Sequence, residues 1–469
     1  MSIDHSKPEN HLPEFIAKMR REGLKPLVID TFAYYYQMVL TGETGMISDR
    51  DIHPVNPDEI EAVEDLSDFG GAGKNAFKNA VRIVLNGGLG TSMGLTGPKS
   101  VLEFKNGESF LSVILKQAQN SNVKLALMNS FSTHADTLNA LAELRPSACP
   151  LTFLQHKFPK ILQDNYSPAV WPKNPALEWN PPGHGDVYTA LYASGALQGF
   201  LDEGIQYAFI SNSDNLGARM DASLLGYFAE HQFPFMMEVA EKAPQDLKGG
   251  HLARHNNGRL ILREAVQCPE DELKAFQDIR HYRYFNTNSI WVNLRSLKKK
   301  FDKDQKMQLP MILNPKTLDP RDEGSPAVFQ IETAMGAAVE LFEGATAVKV
   351  PRSRFFPVKT CNDLLVLRSD CMIFGEKDNL KFNPERLARK KTEVVKINLD
   401  PKFYKKVDDL DQRFCNGIPS LVDCDALTIE GDVLFESNVT IKGSVRIRNT
   451  QKSQAVIKSG TIIDHDLNF

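Results

Sequence analysis

The 469-residue sequence has no CxxC pair. Its six cysteines, Cys149, Cys268, Cys361, Cys371, Cys415 and Cys424, are scattered. Reduced thiols in a cytoplasmic protein are therefore the expected state. No apolar run reaches about 18 residues, so no segment is expected to span a membrane. The opening stretch MSIDHSKPENHLPEF is polar and lacks the apolar core of a signal peptide. There is no excess of positive charge: the formal net charge is −4. That speaks against an extended footprint for nucleic acid, while local positive pockets stay open. What the chain does have is ordinary globular material, with 42% hydrophobic residues. Its length exceeds the usual ceiling for one core, so two or three domains are expected.

Residues 1–75 read as helical and polar. Leu12, Phe15, Ile16 and Met19 are spaced for one helical face, and 58–64 reads as an acidic helical stretch. The glycine-rich run 68–73 reads as a break before the core. From about residue 78 apolar strands (81–85, 123–128, 151–154, 207–210, 235–239) alternate with helices (110–119, and 133–144 with Ser132 as its N-cap). That alternation implies an α/β fold with a parallel sheet covered on both faces, and ligands then sit at the carboxyl ends of the strands. The tail differs. Residues 427–435 line up with 439–447 and loosely with 455–463, apolar residues alternating around a central glycine. Such short self-similar strands read as coils of a β-helix. The boundary falls within the lysine-rich stretch 381–411.

The strand at 81–85 runs into VLNGGLGTSMGLTGPKS, residues 84–100. It is neither of two familiar phosphate loops. Pro98 interrupts the Gly-Lys-Ser spacing of a Walker A motif, and Gly88, Gly90 and Gly94 are one residue too far apart for a dinucleotide fingerprint. The physics still holds: glycines let successive N–H groups line one concavity and let a phosphate or a flat base approach the backbone. Lys99 adds a mobile point charge. A tight turn with a surface lysine is the plain alternative, and the five glycines with Gly97-Pro98-Lys99 weigh against it.

Other strand ends carry polar residues of the same kind. Gln155 closes 151–154 and offers a donor and an acceptor to a base edge, or simply caps its strand. In Asn180-Pro-Pro-Gly-His-Gly-Asp186, His184 lies between two glycines at a helix start, where an anion is favoured. Asp214, in Ser211-Asn-Ser-Asp-Asn215, is a hard oxygen ligand suited to Mg²⁺, or else an Asx turn. Asn286 and Asn288 share a face if their stretch is extended. Lys248 precedes a glycine pair and reads equally as a phosphate contact or a solvated side chain. Lys359 follows a proline-fixed segment, and Arg352 and Arg354 read as salt-bridge partners.

The loop resembles the LNGGLGT-x-MG-x-x-GPKS signature of the eukaryotic-type UTP–glucose-1-phosphate uridylyltransferases. PPGHGD, SNSDN, NTN and PRSRFFPVKT are similar to further motifs of that family, and the resemblance runs from about Phe77 to the C-terminal repeats. N-acetylhexosamine relatives resemble the chain more weakly, with an arginine where this chain has Ser92. The resemblance implies an α/β fold with a Rossmann-like nucleotidyltransferase core and a mixed or parallel sheet at 76–385. The residues themselves place a helical segment at 1–75 before that core, and a linker with a C-terminal β-helix at 386–469 after it. It implies uridylyl transfer from UTP to glucose 1-phosphate with Mg²⁺ on Asp214. Leu85, Asn86, Gly87 and Gly88 would hold base and ribose, Gln155 would meet uracil, and Gly183 would lie by the nucleotide. His184, Asn212, Ser213, Asn286 and Asn288 would line the sugar phosphate, and Lys99 and Lys359 would clamp phosphates. A broader UDP-sugar pyrophosphorylase and a non-catalytic nucleotide-sugar sensor stay open as alternatives. No nucleic-acid or membrane partner is expected, while self-association through the C-terminal coils is.

Overall fold

The computed structural model describes residues 9–391 and 394–469. Its centre is a sheet whose eight main strands are β1 (Glu61–Ala62), β2 (Ala80–Asn86), β3 (Lys124–Asn129), β4 (Leu151–Leu154), β5 (Tyr207–Asn212), β6 (Phe235–Glu241), β7 (Tyr284–Asn293) and β8 (Thr346–Lys349). The spatial order is β1-β8-β6-β7-β5-β2-β3-β4. All adjacent pairs are parallel except the two that β7 makes, with β6 and β5. The sheet is thus mixed through one reversed strand, and the reversal brings the start of β7 to the edge where the other strands end.

Alternation along the strands decides the two faces. Val81, Ile83 and Leu85 of β2 join one core with Ala126, Met128, Ala208 and Ile210. Val84, Leu125 and Leu127 face a second core with Phe110, Val113 and Ile114 of the helix Phe110–Asn120. Ser109 caps that helix by accepting from Ser112 N–H at 3.1 Å. The next helix, His134–Leu144, has Thr133 rather than Ser132 at its N-cap position. Thr133 Oγ1 accepts from Ser130 N–H and donates to Asn86 O, so the hydroxyl that matters pins the end of β2 instead of capping a helix.

Residues 1–8 lie outside the described residues. The helical reading holds for Leu12–Arg21 and Pro26–Leu40, but the polar reading does not, since Phe15 and Met19 pack on the buried Phe32 and Tyr36. Nor does the helical reading hold for 58–64. Pro57–Glu59 and Val63–Asp65 are 3₁₀ turns flanking β1, which pairs with Val348 and Lys349 at the sheet edge. Asn56 accepts from Asp58 N–H and closes the first turn, and the buried Ile60 and Leu66 anchor the segment where an exposed acidic helix would have none to bury. The glycine-rich run is likewise not a break, because Gly70–Ala76 is helical. Its glycines serve close approach: a Cβ on Gly73 would lie 1.7 Å from Ala222 O, and one on Gly226 would lie 2.0 Å from Phe69 O. Two helices cross here at backbone contact, which only glycine permits.

At the C-terminus parallel coils do form, in a different register from the sequence alignment. Leu427 pairs with Val445 and Ile429 with Ile447, while Val433 pairs with Ala455 and Ile441 with Ile463. Alternation alone is satisfied by any even offset, so it reveals the coil and leaves its length open. Leu427, Phe435 and Ile463 share their hydrophobic cluster with Val84, Phe110 and Leu364, so the coils pack directly against the rest of the chain.

Candidate active site

The strand order reverses at β2, which has β3 on one side and β5 on the other. A ligand crevice is expected outside the carboxyl ends of strands at such a point. The glycine loop leaves β2 there, Gln155 follows β4, Ser213 and Asp214 follow β5, and β8 leads to 351–359. Backbone bonds lock the loop: Lys99 N–H donates to Gly88 O at 3.2 Å, and Leu95 N–H to Gly90 O at 3.1 Å. A Cβ on Gly88 would meet nothing within 4 Å, so the loop is open at that point. A Cβ on Gly87 would come within 2.8 Å of Gln155 Oε1. Leu85 O accepts from Ser213 N–H, which ties the ends of β2 and β5 together beside Asn212. Asn86 is buried and donates to Asn129 Oδ1 and Thr137 Oγ1.

Three charges meet at the centre. Lys99 Nζ and Lys359 Nζ donate to the same oxygen, Asp214 Oδ2, at 2.9 and 2.8 Å. Lys99 Nζ also donates to Val358 O. Asp214 and Lys99 are 8% and 12% exposed in their side chains, whereas Lys359 is 56% exposed. Burial of Asp214 pushes its carboxyl up. The charges of Lys359 and Lys99 outweigh that and hold it below the usual carboxylate range. Asp214 Oδ1 is buried without a hydrogen-bond partner, so one carboxylate oxygen stands ready for a ligand. Among the described residues no group of three or more His, Cys, Asp or Glu side chains forms a protein-built metal cage. A single carboxylate completed by substrate oxygens is how Mg²⁺ is commonly held, so the residues present fit that ion.

The opposite end of the crevice is built around a glycine turn and a histidine. Gly183 has φ +76°, and a Cβ there would lie 2.4 Å from Thr333 O, so this turn needs glycine. His184 follows in a 3₁₀ turn that runs into the helix Val187–Ser194. Its Nδ1 accepts from Met335 N–H at 2.9 Å, which puts the ring proton on Nε2. Burial, with the Lys359 charge second, lowers its pKa to about 4. His184 is therefore a neutral N–H donor at physiological pH. An NMR titration is expected to find its midpoint near 4 with the proton on Nε2, and a midpoint at the ordinary 6.5 would contradict this. A Cβ on Gly336, next to Met335, would lie 2.8 Å from Asn286 Nδ2, which links the histidine turn to β7.

Asn286 and Asn288 do converge, by another route than an extended strand. β7 shifts register against β6, Glu238 facing Ser289 and Val239 facing Asn286, and Asn288 takes φ +55°. The bulge lets Asn286 Nδ2 donate to Asn288 Oδ1 and Asn288 N–H donate to Asn286 Oδ1, both at 2.9 Å.

Two residues near this end carried no sequence signal of their own. Glu264 lies against Gly250, where a Cβ would come within 2.5 Å of its carboxylate, and Gly250 O accepts from Asn286 N–H. Burial pushes its carboxyl up. His156 donates its backbone N–H to Asp186 Oδ2 at 2.7 Å. The pairing was available only through the neighbours Gln155 and PPGHGD. Arg352 and Arg354 are ion-pair partners as read, to Asp246 and Glu238. Lys248 is exposed to solvent.

Compared with known families, residues 29–442 match the model described as UTP–glucose-1-phosphate uridylyltransferase. The chain belongs to the UTP–glucose-1-phosphate uridylyltransferase family. It is 39% identical over 404 residues to the enzyme of that name from Solanum tuberosum, covering 84% of this chain and 82% of that one. It is 36% identical over 468 residues to the one from Saccharomyces cerevisiae, covering 98% and 89%. Among solved structures, UDP-glucose pyrophosphorylase from Leishmania major in complex with UDP-glucose superposes with a TM-score of 0.90 at 38% identity, over 98% of this chain and all of that one. The Trypanosoma brucei structure gives 0.88 at 41% identity over 98% and 100%. The family is one of nucleotidyltransferases, and this chain is an enzyme of that kind with their α/β fold.

Proposed function

We propose that the crevice between the glycine loop and Lys359 carries out the family's reaction. A uridylyl group moves from UTP to glucose 1-phosphate, giving UDP-glucose and pyrophosphate, reversibly. The observation that carries the site assignment is the convergence of Lys99 and Lys359 on one oxygen of Asp214 while its other oxygen is buried and unpartnered. The sugar phosphate oxygen attacks the α-phosphorus in line with the departing pyrophosphate. That nucleophile is already an anion, so no side chain has to remove a proton, and catalysis is positioning plus charge neutralisation. Lys99 and Lys359 exchange their bonds to Asp214 for bonds to phosphate oxygens. Leu85, Asn86, Gly87 and Gly88 present backbone to the base and ribose, with Gln155 and Gly183 at the base edge. His184 offers Nε2–H to the sugar phosphate, and Asn212, Ser213, Asn286, Asn288 and Glu264 meet the sugar side. Mg²⁺ on Asp214, when bound, supplies a Lewis acid for the phosphate oxygens.

The assay is pyrophosphate release from UTP with glucose 1-phosphate or galactose 1-phosphate, with and without Mg²⁺. Glucose 1-phosphate is expected to be used best, and chelation to abolish turnover. Full turnover in chelator would remove the metal assignment, and equal use of galactose 1-phosphate would make the enzyme a broad UDP-sugar pyrophosphorylase.

The same reading takes 1–75, 76–385 and 386–469 as N-terminal segment, catalytic core and C-terminal unit, with β1 of the first segment completing the edge of the core sheet. It places the enzyme in the cytoplasm, in keeping with six unpaired cysteines. Among the described residues no helix is long and apolar enough to cross a membrane. Self-association would use the coil end, where Leu467–Asn468 pairs with Ile447 and Arg448 and Ile462 is exposed. Deleting the coils would open the shared core, so the cleaner test is Ile462→Lys. Sedimentation is expected to show a smaller particle, and unchanged mass would refute this interface.

A further inference from the structure

We infer that His156 and Asp186 form a positioning pair that fixes the orientation of the Gln155 amide and so sets the choice of base. The inference rests on the reading of Gln155 as the uracil contact. His156 is the residue after Gln155, and Asp186 is the third residue after Gly183. Asp186 Oδ2 accepts from His156 N–H at 2.7 Å, and Oδ1 accepts from His156 Nδ1 at 2.9 Å. The carboxylate only accepts, so Nδ1 carries the proton. Both side chains are largely buried, Asp186 at 4% exposure and His156 at 14%.

The pair closes a ring of contacts around Gln155. Gly183 O accepts from Asp186 N–H at 3.3 Å and from Gln155 Nε2 at 2.8 Å. Gln155 N–H donates in turn to Asn129 O. With Nε2 committed to the Gly183 carbonyl, Oε1 is left on the Gly87 side, 2.8 Å from where a Cβ on Gly87 would be. An amide held this way presents an acceptor, and it cannot exchange donor for acceptor without abandoning Gly183 O. Uracil carries a proton on N3, whereas cytosine carries a lone pair there. A fixed acceptor therefore favours UTP and opposes CTP, since a mispaired polar group in a closed site is the strongest form of rejection. Loss of the Nδ1–H bond leaves Asp186 held by the residue 156 backbone N–H alone, which loosens the 183–186 turn, lets the Gly183 carbonyl shift, and allows the amide to flip.

The test separates the two ring nitrogens. Asn at 156 places an amide N–H where Nδ1–H is, and Gln places it where Nε2 is. His156→Gln in the full-length enzyme is expected to raise KM for UTP about tenfold and to lower the UTP-over-CTP ratio of kcat/KM about tenfold, while KM for glucose 1-phosphate changes less than about twofold. His156→Asn is expected to stay within about threefold of the native enzyme on all three. The inference fails if His156→Gln keeps native selectivity, if Asn is the impaired variant, or if both substrates lose equally, which marks general loosening. Gln155→Leu is measured alongside. If it also keeps native selectivity, the base-contact reading itself falls. If it loses selectivity and His156→Gln does not, only the positioning role falls.

Discussion

Lys359→Met lowers turnover by about 10²- to 10³-fold while leaving the fold intact. The magnitude is that of removing one preorganised donor from a site of developing charge. The separation of activity from stability follows from the geometry. Lys359 is more than half exposed, and exposed ion pairs contribute about 0–1 kcal/mol, so the melting temperature should move little. Lys99 is the less clean probe, because its ammonium also bonds Val358 O and is mostly buried. Methionine keeps the apolar stem and removes only the charge. Steady-state kinetics with UTP and glucose 1-phosphate, together with a thermal melt, check both halves. A variant that retains more than a third of native turnover contradicts the assignment.

Arg354→Met gives the largest expected loss of stability, about 3–5 kcal/mol. Glu238 is fully buried. Its Oε2 accepts from Arg354 Nε at 2.8 Å, and its Oε1 accepts from Arg354 Nη2 at 2.7 Å and Trp291 Nε1 at 2.9 Å. Loss of the arginine leaves a carboxylate in the core with one indole donor. Replacing both partners, Glu238→Met with Arg354→Met, should recover most of the loss. Urea unfolding of the single and the double variant beside the native enzyme measures this. A single variant within about 1 kcal/mol of native would show that the pair is not closed to solvent. The consequence for catalysis is positional, because the same segment carries Val358 and Lys359.

Much of the site could be read from the sequence because each piece follows a strand end. Gly87, Gln155 and Asp214 come directly after apolar runs, and a strand's carboxyl end is a place in the fold as well as in the chain. The residues that escaped depend on contacts between distant segments. Glu264 is next to Asn286 only through Gly250, and His156 meets Asp186 only because the turn after Gly183 folds back over β4. The same distinction holds for the fold. Periodicity marked β2 to β6 and the helices Leu12–Arg21 and Phe110–Asn120, where the local pattern and the core agree, while β1 was read as helix and β8 was not read. It failed at Gly70–Ala76, where the glycines record the proximity of another helix, and in the coils, where alternation carries no information on register. β7 was hidden for a related reason, since Asn286 to Asn288 break its apolar pattern to make the bulge that holds two amides.

A structure of the enzyme with UTP and Mg²⁺ tests the central claim most directly. The account predicts the triphosphate along the glycine loop, with Lys99 and Lys359 turned from Asp214 onto its oxygens, the cation on Asp214 Oδ1, and the uracil edge at Gln155. A triphosphate bound elsewhere, with both lysines still on Asp214, would contradict it.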